Sequence, residues 1–388
     1  MTPPKLVLTV IDGLKPSALE RAVATGRAPT LKLLMERGTY VDECVAAFPS
    51  VTPVCAASIA TGTLQNQHHI PSMNWWWREE KRYVEYGSSF GASRKFGINR
   101  QLTDTVYRMN MEHLSPETHT VFEDLDDAGI RTAGTTYLMW RGRHEHNVSR
   151  DTALTRIAGQ TLFRKPIRGP QEFFYADIYA SRRTNCKSTM GMPGIRDQHS
   201  GCVSAHLVEN DLFDFLLLSL PDNDTHSHKY GPHAQVTSIH EADRQIERVM
   251  HAAGGPDAFL DEHAMIVVAD HSHAQIERSV DLFEALKEFD LTGPAAAKPD
   301  EGEIAVCPSQ RSAMVYVLVP EARDQLIPRL LETCLATEGV DLVMHREDGV
   351  AVILGEAGML SFSPGEEVRD VRGGSWVVRG NLKVLDAR

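Results

Sequence analysis

Three stretches of the chain are nearly continuous apolar runs rich in Val, Ile and Leu: residues 5–11 (KLVLTVI), 214–220 (DFLLLSL) and 263–269 (HAMIVVA). Runs of this length without polar alternation are the pattern of strands buried on both faces, as in a parallel sheet. Between them, apolar positions recur at helical spacing over residues 17–38, with a break near Gly26 to Pro29, and again over 121–128 and 236–253; residues 131–137 read as a further strand. Strands alternating with helices predict an α/β fold, doubly wound around a mainly parallel sheet and flanked by helices. Residues 74–198 break the pattern. They open on Trp75, Trp76 and Trp77 and carry many Arg and Gly residues among few periodic segments, so the expectation is an inserted cap or long-loop region within one domain spanning 1–388. Ordinary loops packed on the core are the plain alternative. Beyond it, 313–319 reads as a strand, 321–335 as a helix and 341–376 as short edge strands.

The turns after the apolar strands hold the chemistry. Asp12-Gly13 ends the first, the cluster from Asp222 to His228 ends the second, and Asp270-His271 ends the third. In parallel α/β sheets the carboxyl ends of the strands form the ligand-binding edge, so three strands deliver acids and imidazoles to one place. Asp224 and His228 stand four apart, as do Asp222 and His226, and on one helical turn either pair can reach a single cation. Helix capping explains one acid and one histidine, and strains with two of each in seven positions. Taken singly, Asp12-Gly13 is a turn dipeptide and Asp270-His271 a hydrogen-bonded turn; their weight comes from their company. Thr52, in FPSVTPV before a helix-forming run at 55–61 that stops at Gly62, is the candidate nucleophile. A hydroxyl at a helix N-terminus gains from the dipole and from backbone N–H groups that also hold phosphate. The local reading makes Thr52 the N-cap with Pro53 at the first helical position. That is compatible with catalysis, since a metal-bound hydroxyl is lowered in pKa.

Composition narrows the partners. The formal net charge is -12 and no Lys/Arg run is dense enough for a nucleic-acid footprint, which excludes a nucleic-acid polymer as the expected partner. Small phosphorylated substrates stay open, because a bound cation dominates its local field. No stretch approaches a bilayer span and the first residues lack a signal-peptide pattern, so the expectation is a cytoplasmic protein with no membrane partner; the oligomeric state is open. Cys44, Cys55, Cys186, Cys202, Cys307 and Cys334 have no CxxC spacing and suit buried thiols rather than disulfides.

Asp12-Gly13 after a strand, Phe48-Pro49-x-x-Thr52 before a helix, Asp224-x-x-x-His228-Lys229-Tyr230-Gly231-Pro232 and the later Asp270-His271 together resemble the alkaline phosphatase superfamily. The nearest likeness is to its nucleotide pyrophosphatase/phosphodiesterase and phosphonoacetate hydrolase branch. Thr61-Gly62 and His68 also fall where that family carries its Thr-Gly and His. The resemblance covers residues 5–271 in order and implies an alkaline-phosphatase-like fold and a phosphate-ester hydrolase that uses Zn2+, two ions, other divalent metals being admissible. It implies one zinc on Asp12, Asp270 and His271 beside a metal-bound Thr52, and a second on Asp224 and His228. Asn74, within one position of a family Asn, would bind a phosphoryl oxygen. The implied mechanism is in-line attack by Thr52 and hydrolysis of a phospho-threonine intermediate, on a phosphodiester; phosphomonoesters and phosphonates are the alternatives of the same fold. A metal-depleted, non-catalytic binding protein is the alternative of another class.

The chain departs from the family in one respect. The family's further zinc histidine, in a downstream His-Gly motif, is missing, which leaves His345, His233, His273 or no residue in its place. Whether Asp222 and His226 compete with Asp224 and His228 is equally open. Arg141 and His144 are candidates to reach over the site and bind substrate, with a solvated surface as the alternative. Of the three tryptophans, at most two can face a base-stacking pocket, and packing is expected of the rest. Cys307-Pro308-Ser309-Gln310-Arg311 resembles the sulfatase motif only superficially, since its Pro stands one place early and it lies past the metal ligands. Cys55 is expected to be a small core residue.

Overall fold

In the computed structural model, which describes residues 4–88, 90–149, 162–175, 178–187, 196–295, 301–371 and 373–385, six strands form one sheet. They are β1 (Lys5–Ile11), β2 (Thr132–Thr135), β3 (Glu172–Tyr175), β4 (Tyr179–Ala180), β5 (Phe215–Leu220) and β6 (His263–Val268), in the order β6-β1-β5-β2-β3-β4. All pairings are parallel except that of β3 with the short β4.

Successive side chains on a strand point to opposite faces, and both faces are covered. Val7 and Ile11 of β1 and Leu216, Leu218 and Leu220 of β5 pack with four helices: α1 (Pro16–Ala24), α2 (Pro29–Arg37), α5 (Arg196–Glu209) and α7 (Gln235–Ala252). The alternate positions, Val10, Phe215 and Leu217, pack against α3 (Thr52–Thr61) and α4 (Val121–Asp127). The remaining helix used below is α6 (Asp222–Tyr230). This is the doubly wound sheet that the apolar runs predict. The break expected near Gly26 to Pro29 separates α1 from α2.

Register aligns the strand ends. Val10 lies opposite Val268, Ile11 opposite Leu220, and Thr135 opposite Leu218. The residues that follow, Asp12, Thr136, Pro221 and Asp270, therefore emerge along one carboxyl edge.

The span read as one domain comprises two compact units. The first holds Met1–Glu80, Val84–Gln275 and Ser309–Ser312, with the central sheet. Of residues 74–198, β2, β3, β4 and α4 belong to that sheet and its covering layer. Asp104–His113 is a π-helix, a geometry concentrated at functional sites. The second unit holds Lys81–Tyr83, Ile276–Pro308 and Ala313–Arg388. It contains a helix, Arg323–Ala336, and a four-stranded antiparallel sheet of Leu342–Glu347, Val350–Gly355, Gly358–Arg369 and Ser375–Gly380. One of these strands runs for 12 residues, so the short edge strands expected there are in fact a sheet of their own.

The cysteine expectation needs a correction. Cys186 and Cys202 form a disulfide, because α5 carries Cys202 to a Cα–Cα distance of 5.7 Å from Cys186, within bridging reach. Cys55 and Cys307 are buried thiols, as expected, whereas Cys44 is exposed. Among the described residues no helix is long and apolar enough to cross a membrane.

Candidate active site

Thr52 stands at the start of α3. Val51 is extended (φ -126°, ψ 148°) and caps the helix with no side-chain hydrogen bond, so the helix begins at Thr52 with Pro53 in its first turn. The N-cap thus lies one residue earlier than expected, at Val51 instead of Thr52. The Thr52 hydroxyl does not bond back to the helix; its Oγ1 lies 3.1 Å from His271 Nε2. The N–H groups of Val54 and Cys55 donate instead to the Val51 carbonyl. Three residues on, burial and then the charge of Asp270 push the Cys55 thiol up to about 12, so it is an inert core group.

Asp12 and Asp270 meet from the ends of β1 and β6. Asp270 Oδ1 accepts from the backbone N–H groups of Gly13 (3.0 Å) and His271 (2.8 Å), which fixes the carboxylate and leaves Oδ2 3.5 Å from His271 Nε2. Asp12 Oδ1 lies 3.6 Å from the same nitrogen and is buried with no hydrogen-bond partner. Ligand atoms of Asp12, Asp270 and His271 all lie within 4.8 Å of one another. Burial holds the Asp12 carboxyl well above the usual range; the charges of Asp270 and Asp224 add to this and Arg196 opposes it. Burial raises Asp270 as well. Two crowded buried carboxyls, an orphaned oxygen, an imidazole and a hydroxyl form an O/N donor set that fits a divalent cation such as Zn2+.

A second cluster is centred on Asp224 of α6. Its Oδ1 lies 2.9 Å from His273 Nε2 and 3.3 Å from His228 Nε2, the latter one helical turn away. Burial works against ionisation of Asp224, but hydrogen bonds to His228 and His273 outweigh it and hold the carboxyl well below the usual range. The Asp224 hydrogen bond in turn raises His228. Ligand atoms of Asp224, His271 and His273 also lie within 4.8 Å of one another, so His271 stands between the two clusters.

The competing pair is engaged elsewhere. Asp222 exchanges hydrogen bonds with Asp197, each carboxylate accepting the other's backbone N–H at 2.9 Å, and accepts from Arg196 Nε at 2.8 Å. His226 Nε2 lies 3.2 Å from the Ala234 carbonyl. His233 is exposed on the turn after α6. His345 belongs to the second unit, where its Nε2 is 3.9 Å from Glu347 and its Nδ1 is buried with no hydrogen-bond partner.

Asp197 provides a pH dependence of its own. Burial, then the charge of Asp222, pushes its carboxyl up to about 8. The native chain therefore keeps a proton that the unfolded chain releases near pH 4, and stability falls as pH rises between the two, by up to about 1.4 kcal/mol per pH unit. Asp197→Asn should flatten that slope in urea midpoints taken from pH 5 to 8. An unchanged slope would remove Asp197 as its source.

Arg141, expected to reach substrate, has its guanidinium engaged by the protein itself. It is 9 % exposed, and its guanidinium donates to Glu123 Oε2 (3.0 Å) and to the carbonyls of Leu114, Ser115 and Thr118. Glu123 closes the capping box of α4 with Thr120, so Arg141 ties this helix start to the preceding loop. Arg141→Ala would remove one of the two arginines that pair with buried Glu123, Arg143 remaining on its Oε1 at 2.9 Å. The expected result is a loss of about 1–3 kcal/mol of stability in chemical denaturation, with KM little changed. His144 Nε2 pairs with Asp126 at 3.5 Å. Trp75 and Trp77 pack edge-on against His113, and Asn74 is buried at the start of their strand; none of the three lines the site cavity.

That cavity, of about 310 Å³, opens along the carboxyl edge. Asp12, Thr52, Asp270, Arg196 and His199 are among its charged and polar members, and Leu102, just before the π-helix, and Val106, within it, with Tyr137 and Tyr175, give it its larger walls. Arg196 and His199, at the start of α5, are basic side chains of the cavity that the sequence did not indicate. The available signal was weak: a second acid at Asp222, surplus to the metal set, calls for a cation, and the sequence does not say which.

A doubly wound sheet whose carboxyl edge gathers acids and imidazoles around one hydroxyl makes this an alkaline-phosphatase-like hydrolase of phosphoric esters. The chain belongs to the type I phosphodiesterase / nucleotide pyrophosphatase family, whose sequence model matches residues 6–348. Among solved structures it is similar to phosphonoacetate hydrolase from Sinorhizobium meliloti in complex with phosphonoformate, with 18% identity over 89% of this chain and 75% of that one and a TM-score of 0.50. Human ectonucleotide pyrophosphatase / phosphodiesterase 5 is similar at 12% identity, over 88% of this chain and 72% of that one, with a TM-score of 0.56. Comparison with curated proteins gives no match.

Proposed function

We propose that this chain hydrolyses small phosphodiesters by attack of Thr52 on phosphorus, with divalent cations, Zn2+ in the first instance, held by Asp12, Asp270 and His271 and by Asp224 and His228. The observation that carries the reading is the 3.1 Å approach of Thr52 Oγ1 to His271 Nε2, which puts the hydroxyl among the ligands instead of in a cap. When bound, the cations lower the pKa of the hydroxyl and neutralise charge on the entering and leaving oxygens. The protein's own residues do the rest. Asp270, fixed by two backbone N–H groups, holds His271 beside the nucleophile. The dipole of α3, ten residues long, favours negative charge at Thr52. Arg196 keeps Nε on Asp222 and supplies positive charge to the cavity, where a phosphoryl oxygen would lie. The apolar walls take the organic part of the ester and exclude water from it. The Thr52 oxygen, its proton passed to water, would bond to phosphorus as one ester P–O bond breaks and the alcohol leaves with a proton from water; a water molecule would then cleave the phospho-threonine, releasing the phosphomonoester and restoring the hydroxyl.

Metal analysis together with turnover of an aryl phosphodiester tests the reading. The expected result is bound divalent metal and turnover that is lost on chelation and restored by Zn2+. Full turnover by metal-free protein would sink it.

A further inference from the structure

We infer that His273 is the ligand that completes the second cation site, joining Asp224 and His228, so that the missing downstream histidine is replaced from only two residues past His271. The inference rests on the metal-dependent reading above and deepens it. Three observations carry it. First, His273 Nε2 makes the shortest contact with Asp224 Oδ1, 2.9 Å against 3.3 Å for His228. Secondly, the site gives His273 its room. A Cβ built on Gly13 would meet His273 Nε2 at 2.8 Å and Cδ2 at 2.9 Å, so the ring occupies the space left by the absent side chain. Gly13 also takes φ +70°, which suits glycine, and its N–H holds Asp270. The Asp-Gly turn after β1 thus serves both clusters. Thirdly, the neighbouring imidazoles have distinct places. His271 Nε2 is already within 3.1–3.6 Å of Thr52, Asp270 and Asp12, which commits it to the first cation. The ring of His228 meets that of His273 edge to face at 4.6 Å, and its side chain is 49% exposed, so it is free to close on a cation that Asp224 and His273 hold.

The strand-end geometry explains how two histidines so close in sequence serve different ions. After β6 the chain leaves the sheet, and the His271 and His273 rings stand 5.5 Å apart at an interplanar angle of 60°. One ring turns toward Asp12 and Asp270, the other toward Asp224. An acid and two imidazoles leave one tetrahedral position open, the arrangement of catalytic zinc.

Zinc titration calorimetry of stripped wild type, His273→Ala and His345→Ala proteins tests this, together with cobalt absorption spectra of His273→Cys. Wild type and His345→Ala should each bind two equivalents. His273→Ala should keep the first and bind the second at least about 100-fold more weakly, more than is lost when only a supporting residue is removed. His273→Cys loaded with Co2+ should show a thiolate-to-cobalt charge-transfer band absent from wild type, a readout that survives even if the alanine variant folds poorly. Two equivalents at wild-type affinity in His273→Ala, or no such band in His273→Cys, would overturn the inference while leaving the wider reading standing. Loss of the second equivalent in His345→Ala would also overturn it. A wild type that binds no metal would overturn both.

Discussion

Thr52→Ala should lose aryl phosphodiester turnover by at least about 10³-fold, with the fold and bound metal retained. The side chain contributes no cap bond to α3, which is capped by Val51 and carries Pro53 in its first turn, so its removal leaves the helix intact. It is one donor beside Asp12, Asp270 and His271, and those three remain to hold a cation. Thr52→Ser keeps the hydroxyl and should keep a substantial part of the rate. Turnover, metal content and melting temperature of the three proteins separate the roles. Near-normal turnover by Thr52→Ala removes it as nucleophile, whereas a fall in melting temperature with metal lost would make it a structural ligand.

The second large effect expected is on stability. Asp12 and Asp270 are held above the usual carboxylate range, by burial first and, for Asp12, then by the neighbouring acids. Without cations the native chain therefore binds more protons than the unfolded chain above about pH 4, and its stability falls as pH rises. Cations take the place of those protons. Chelation should thus lower the melting temperature more at pH 8 than at pH 5, because the raised carboxyls hold more of their protons at the lower pH. Binding at 1,000 times Kd is worth about 4 kcal/mol per site, so the shift at pH 8 should be on the order of 10 °C. Differential scanning calorimetry with and without chelator measures it. Equal melting temperatures at pH 8, with metal removal verified, would contradict the cation reading of the two acids.

What the sequence disclosed follows from which forces are local. β1, β5 and β6 are buried on both faces or pair with such strands, and a strand in that setting is a plain apolar run with no competing pattern. The acids that follow them were legible for the same reason, because a strand end fixes where the next residue goes. The surroundings of Arg141 were not legible, because only tertiary packing brings Glu123 and three carbonyls around it. The Cys186–Cys202 bridge likewise depends on where α5 lies, which spacing does not encode. Asp222 and Asp224 offered identical four-residue spacings to histidine; the choice between them was made by Arg196 and Asp197, which draw Asp222 away. The start of α3 missed by one residue, the usual uncertainty of helix ends, but here the displaced residue was the one of interest.

The hydrogen bond from Gly13 N–H to Asp270 joins groups 257 residues apart in the chain. Contacts of such sequence separation raise the contact order and slow folding, so docking of β6 on β1 is expected to be a late step. A growing chain that has made Asp12, Thr52 and Asp224 has a hydroxyl and scattered acids but no His271 to gather them. Recovery of hydrolytic activity after denaturation is therefore expected to follow the closing of the sheet rather than the formation of its helices.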